Sequence, residues 1–129
     1  MTRRRDSVNA QLPLTPVAFE ILLSLAEGDR HGYHIMHAVE ERSGGRITLH
    51  PGTLYRAIAR LLDEQLIEEL VMARRIGVDA RPDPSTDERR RYYRLTTFGK
   101  DVAEAEAERL ESQVQAARAL RLLRRSGKG

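Results

Sequence analysis

Four side chains in one short stretch are of the types that read nucleic acid. Thr53, Tyr55, Arg56 and Arg60 lie within residues 51–65 and supply a hydroxyl, a phenol and two guanidinium forks. Arginine forks bind phosphate oxygens and guanine edges through paired hydrogen bonds. A helix presenting such groups near its N-terminus is what major-groove reading requires. The stretch carries helix signals of its own. Leu54, Ile58, Leu61 and Leu62 recur at the spacing of one buried helical stripe. Pro51 suits a first turn, where its missing N–H has no partner to lose. Gly52 leaves that turn bare enough for a backbone or a phosphate to approach. Two of the four residues have a competing role. Asp63 and Glu64 lie three and four residues beyond Arg60 and offer it a local ion pair. Tyr55 lies at the border of the stripe and reads equally as a half-buried core tyrosine.

Other clusters carry weaker chemistry. Arg89, Arg90 and Arg91 precede a strand-like segment, where phosphate contacts would position a protein without choosing a sequence. Arg3, Arg4 and Arg5 suggest a flexible basic arm over residues 1–12. His31, His34, His37 and Glu41 share approximate helix spacing that could ligate a metal, but nothing in the sequence supplies the hydrogen-bond partners that would orient such ligands. No Ser–His–Asp set, phosphate-binding glycine loop or pair of catalytic carboxylates stands at a meaningful spacing. The chain therefore reads as a non-enzyme with no metal and no cofactor.

Composition narrows the class. A length of 129 residues fits one domain, with 40% hydrophobic residues for a modest core. The absence of cysteine excludes disulfides and thiolate metal sites and fits a reducing, cytoplasmic setting. No apolar run approaches the roughly 20 residues that span a bilayer, and no apolar stretch follows the basic N-terminus as a secretory signal would require. The formal net charge of +3 permits nucleic-acid binding without demanding it. Of 22 basic residues only Lys100 and Lys128 are lysines. That bias serves phosphate binding, and a GC-rich genome produces it as readily.

The elements that must hold the reading helix follow from punctuation and periodicity. Thr15-Pro16 gives an N-cap and a proline at the first helical position. A first helix follows, with Ile21, Leu22 and Leu25 on its apolar face, and Gly28 closes it. A second helix opens at His31-Gly32-Tyr33 and ends at Gly44-Gly45. Residues 47–49 are β-prone and predict a minimal strand. After the third helix, residues 67–73 and 91–95 predict an antiparallel hairpin around a long loop at 75–88. Period two sends Tyr93 and Leu95 to one face, Tyr92 and Arg94 to the other. Thr96-Thr97 caps a last helix reaching about residue 125, with acids early and arginines late, as the helix dipole favours. Its stripe of Ala103, Ala107, Leu110, Val114, Ala117 and Leu120 outruns a small domain's core and calls for a second chain. The fold class is thus mainly α with a small β-hairpin. A winged helix-turn-helix spans residues 13–96, a dimerisation helix 97–125 and a tail 126–129.

The chain also resembles the PadR-type transcriptional regulators. The matching stretches are Leu25-Ala26-Glu27-Gly28 with His31-Gly32-Tyr33-His34-Ile35, then Pro51-Gly52-Thr53-Leu54-Tyr55-Arg56-Ala57-Ile58 with Leu61 and Leu66-Ile67, and finally Arg91-Tyr92-Tyr93-Arg94-Leu95-Thr96 with Gly99. They cover roughly residues 12–105 in the family's order and spacing. The resemblance implies a homodimeric winged-helix repressor on a palindromic operator, of the shorter subgroup with one C-terminal dimerisation helix. It implies Thr53, Tyr55 and Arg56 at the DNA, Tyr33 near a phosphate, and Arg89, Arg90 and Arg91 at the base of the wing. Some members of the family hold aromatic or cationic drugs in a tryptophan-lined pore between protomers, whereas this chain has no tryptophan.

The expected partners are therefore double-stranded operator DNA, a second copy of the chain and a small-molecule effector of unknown identity, with no membrane. The competing class is a winged-helix protein-interaction module, which predicts weak, salt-insensitive DNA binding. The Thr-x-Tyr-Arg surface argues against it.

Overall fold

In a computed structural model, residues 2–71 and 91–124 are described. The order is α1 (Thr2–Ala10), α2 (Pro16–Ala26), β1 (Arg30–His31), α3 (Gly32–Arg42), α4 (Pro51–Asp63), β2 (Ile67–Val71), β3 (Arg91–Leu95) and α5 (Thr97–Ala119). The three strands form one antiparallel sheet in the order β1-β3-β2. The expected mainly helical fold with a hairpin and a long last helix is what the chain adopts.

Local chemistry sets the element ends. The Thr15 hydroxyl accepts the N–H of Ala18 at 3.1 Å, with Pro16 in the first turn of α2. Gly44 and Gly45 adopt positive φ beyond α3, where a side chain would be strained. The end of α4 is unusual, since Gln65 takes the left-handed conformation without being glycine. The turn is held by two hydrogen bonds, from the Leu66 N–H to the Leu61 carbonyl and from the Gln65 N–H to the Leu62 carbonyl.

The core lies where α2, α3 and α4 meet the sheet and the first turns of α5. Ile21, Leu22, Ile35, Val39, Leu54, Ile58, Leu66 and Val102 are buried in it. Each such side chain contributes on the order of 1.5–3 kcal/mol. Tyr93 is buried and Leu95 half-buried while Arg94 is exposed, as the period-two reading requires. Glu68 stands opposite Arg94, and Glu69 opposite Tyr93.

Three expectations are corrected. Residues 2–10 are helical where a flexible arm is expected, and α1 docks on α5 with Val8 buried. Residues 47–49 form no strand. The third strand is Arg30–His31, which pairs with Tyr93 and Tyr92 of β3. The last helix stops at Ala119 rather than near residue 125. Arg121 turns left-handed there, and the Leu122 N–H bonds back to the Ala117 carbonyl at 2.8 Å. The predicted loop at 75–88 lies outside the described residues, as do the tail and the last residues of β2's predicted span.

Candidate nucleic-acid interface

The α4 helix buries Leu54, Ile58 and Leu61 and turns Thr53, Arg56 and Arg60 to solvent. The two arginines differ in one respect that bears on function. The Arg60 Nε lies 3.5 Å from the Glu64 carboxylate, four residues on, as the sequence spacing allows. Arg56 is exposed and makes no ion pair among the described residues. Among the described residues, its guanidinium is the open fork on the face that also carries Thr53. These three residues border a groove of about 730 Å³ whose far wall is the linker between α1 and α2.

Tyr55 is on another side of the helix. It is half-buried, packs against the core, and sets its phenol against Gly32 at the start of α3. It lines a second groove, about 510 Å³, between α4 and the sheet, which Arg91 also borders. The core-tyrosine alternative therefore describes its body, and the part of it left open is what lines that second groove. The structure thus gathers Thr53, Arg56 and Arg60 in one place and Tyr55 and Arg91 in another.

Tyr33 is 49% exposed on α3, edge-on to His37 with ring centres 4.9 Å apart. Beside it, His31 stacks on His34 at 3.9 Å and meets the edge of Tyr92 at 5.3 Å. Burial, and then the neighbouring His34, hold the His31 pKa below its ordinary value. No group of three metal-ligating side chains forms among the described residues. Arg91 is exposed and ion-paired with Glu69 at 3.3 Å, while Arg94 pairs with Glu68 at 2.9 Å. Both strand arginines therefore face carboxylates of β2, which reduces the charge they present outward. Arg89 and Arg90 lie outside the described residues.

The stripe proposed for dimerisation divides along α5. Ala103 packs against the protomer's own core, and Leu110 is half-buried. Ala107 is exposed, Val114 is 41% exposed and Ala117 is half-buried. Leu120, 70% exposed, caps the helix rather than continuing its stripe. Among the described residues, the far half of α5 carries the surface without an intramolecular partner. No helix among the described residues is long and apolar enough to cross a membrane.

Sequence reasoning missed Glu106. Counted as one of the early acids of α5, it is 2% exposed and accepts both Nε and Nη2 of Arg109 at 2.8 Å. The Arg109 fork holds its pKa below the ordinary value against desolvation, and a hydrogen bond from the Leu14 backbone helps. Its signal was its place four residues after buried Val102. Equally unforeseen is Glu27, which bridges Arg30 and Arg42 and ties the ends of α2 and α3 to β1.

This arrangement of helices, a small sheet and a long last helix recurs in solved structures. A transcriptional regulator from Clostridium thermocellum superposes with a TM-score of 0.61 at 26% identity, over 80% of this chain and 87% of that one. The complex of hsRosR-S4 gives 0.56 at 24% identity over 91% and 97%, a likeness of fold. Among curated relatives, an uncharacterized 37.1 kDa protein of transposon Tn4556 from Streptomyces fradiae is 38% identical over 87 residues. That match takes 67% of this chain and 21% of the relative. An uncharacterized protein X from Lysinibacillus sphaericus is 31% identical over 80 residues, 62% of this chain and 64% of the relative. The chain thus spans about a fifth of one relative and somewhat under two thirds of the other. The model of the transcriptional regulator PadR-like family matches residues 21–105, and this chain belongs to that family.

Proposed function

We propose that the chain is a sequence-specific DNA-binding regulator, a repressor that grips a palindromic operator as a homodimer in the cytoplasm. The observation that carries this reading is the open Arg56 fork beside Thr53 on the exposed face of α4. A bidentate arginine is the commonest reader of guanine in the major groove. Family membership supports the same reading. Arg60, Tyr33 and Arg91 would add phosphate contacts that set position and salt dependence. Tyr55 would act at the edge of the helix facing the sheet, and Arg89 and Arg90 at the base of the wing.

Dimerisation rests on the far half of α5, where Val114 is exposed and Leu120, Leu122 and Leu123 follow at 70%, 77% and 41% exposure. Aliphatic side chains on a projecting helix gain by meeting a copy of themselves. Two α4 helices held this way would enter major grooves about 34 Å apart, or a multiple of that. An effector that binds the two states unequally would shift the equilibrium between operator-competent and incompetent dimers.

The test is a fluorescence anisotropy titration, at several salt concentrations, against an inverted repeat found upstream of the chain's own gene. Specific binding that weakens steeply with salt, from a species of twice 14.7 kDa by light scattering, is expected. A monomer mass at micromolar concentration would sink the dimer, and salt-insensitive binding would favour the interaction module.

A further inference from the structure

We infer that the groove between the α1–α2 linker and α4 is a binding site for an aliphatic carboxylate, held by Arg56 and therefore exclusive with DNA. The competition with DNA rests on the function proposed above, whereas the binding site does not.

The groove is of ligand size, about 730 Å³. Its body is hydrocarbon. Leu12, Leu14 and Val17 form one wall, with Ala57 and Leu61 beneath. No aromatic side chain lines it among the described residues, so it offers no ring for stacking and suits an aliphatic rather than an aromatic body. One rim is cationic. Arg60 has its charge met by Glu64, but Arg56 faces no carboxylate among the described residues. Among the described residues, the groove therefore has one guanidinium without a carboxylate, that of Arg56, next to the Thr53 hydroxyl. A carboxylate answers this bidentately.

The apolar wall is fixed before any ligand arrives. The Leu14 backbone lies close enough to Glu106, a buried carboxylate that Arg109 holds on α5, to help keep its pKa low. Next to it, at the same end of the linker, the Thr15 hydroxyl is engaged in capping α2. A wall pinned at neighbouring residues loses little freedom on binding, which favours affinity. Because Arg56 would serve both the carboxylate and the operator, each ligand would weaken the other by the same factor.

Titration calorimetry on the full chain without DNA tests the site, using decanoate, hexanoate and decanol below their aggregation limits. One decanoate should bind per chain. Hexanoate should bind more weakly by a factor of ten or more, because about four fewer methylenes are buried. Decanol, and decanoate with Arg56→Gln, should each lose about tenfold or more. Circular dichroism of the variant should be unchanged, since Arg56 is exposed. Equal binding of decanol, no chain-length dependence, or full retention by Arg56→Gln overturns the site. Operator titrations with added decanoate then test the competition. An operator dissociation constant that rises in proportion to decanoate is expected, and one that stays constant at saturating decanoate overturns exclusivity. If the chain binds decanoate through Arg56 but no operator, the site stands and the DNA reading fails.

Discussion

The phenol of Tyr55 lies against Gly32, with no room between them for a methyl group. A Cβ at position 32 would stand 3.0 Å from the ring Cζ and closer still to the hydroxyl oxygen. This pair sets the distance between the start of α3 and the flank of α4. Gly32→Ala should push the ring outward and lower stability by about 1–3 kcal/mol. Tyr55→Phe, which removes the nearest atom, should recover part of that loss in the double variant. Chemical denaturation of the two single variants and the double variant checks this, with simple additivity as the outcome that would refute the contact.

Gly99→Ala should be more damaging. A Cβ there would be driven into the Leu66 carbonyl, and its distance to the carbonyl carbon would be 2.8 Å. Backbone cannot swing aside as a phenol can. A loss of about 3 kcal/mol or more is expected, with a matching fall in midpoint denaturant concentration. A melting curve like that of the unaltered chain would contradict the packing of α5 on residue 66.

Arg56→Ala and Arg60→Ala should differ in operator binding. The first removes an open fork and should weaken specific binding by about 1–3 kcal/mol. The second removes a guanidinium already shared with Glu64 and should cost about 1 kcal/mol or less, mainly as reduced salt dependence. Anisotropy on specific and scrambled duplexes separates the two, and equal losses would erase the distinction drawn from the ion pair.

Glu106 predicts an acid-sensitive fold. Its folded pKa lies below the ordinary value of 4.5. A depressed carboxylate contributes stability that is complete above its unfolded pKa and is lost as pH falls through the folded one. Glu106→Gln should therefore destabilise the chain near neutrality, by about 1–3 kcal/mol. It should also show a shallower decline than the unaltered chain below pH 4.5. Parallel stability-against-pH curves for the two proteins would rule this out.

What could be read in advance follows from the range of the interactions involved. The α4 helix was legible because its stripe, its proline and its cationic face are all local. The N-cap at Thr15 and the period of β3 were legible for the same reason. Tyr55 was legible only as an alternative, a half-buried core tyrosine, since its packing involves Gly32, more than twenty residues away in sequence. Glu106 looked like a solvent acid until α5 was laid on the linker and Leu14 supplied its amide. Strand β1 has two residues and no period to detect, and only β3 makes it a strand. The end of α5 escaped because an arginine, not a glycine, takes the left-handed turn. Helix α1 lacks an amphipathic period and shows itself only by burying Val8 against α5.

The meeting of α4, β2 and α5 at residues 65 and 66 has a mechanical consequence. The Thr96 hydroxyl donates to the Gln65 carbonyl at 2.7 Å, its N–H donates to the Leu66 carbonyl at 3.1 Å, and the same hydroxyl accepts the Gly99 N–H at 2.9 Å. One threonine thus rivets the tail of the reading helix to the head of the long one, with Gly99 seated flush on the rivet. Within a protomer the two helices behave as arms of a single bent bracket, whose angle is set during folding. In the proposed dimer, adjustment of the span between two half-sites would then come from the seam between brackets, where α5 would meet its copy.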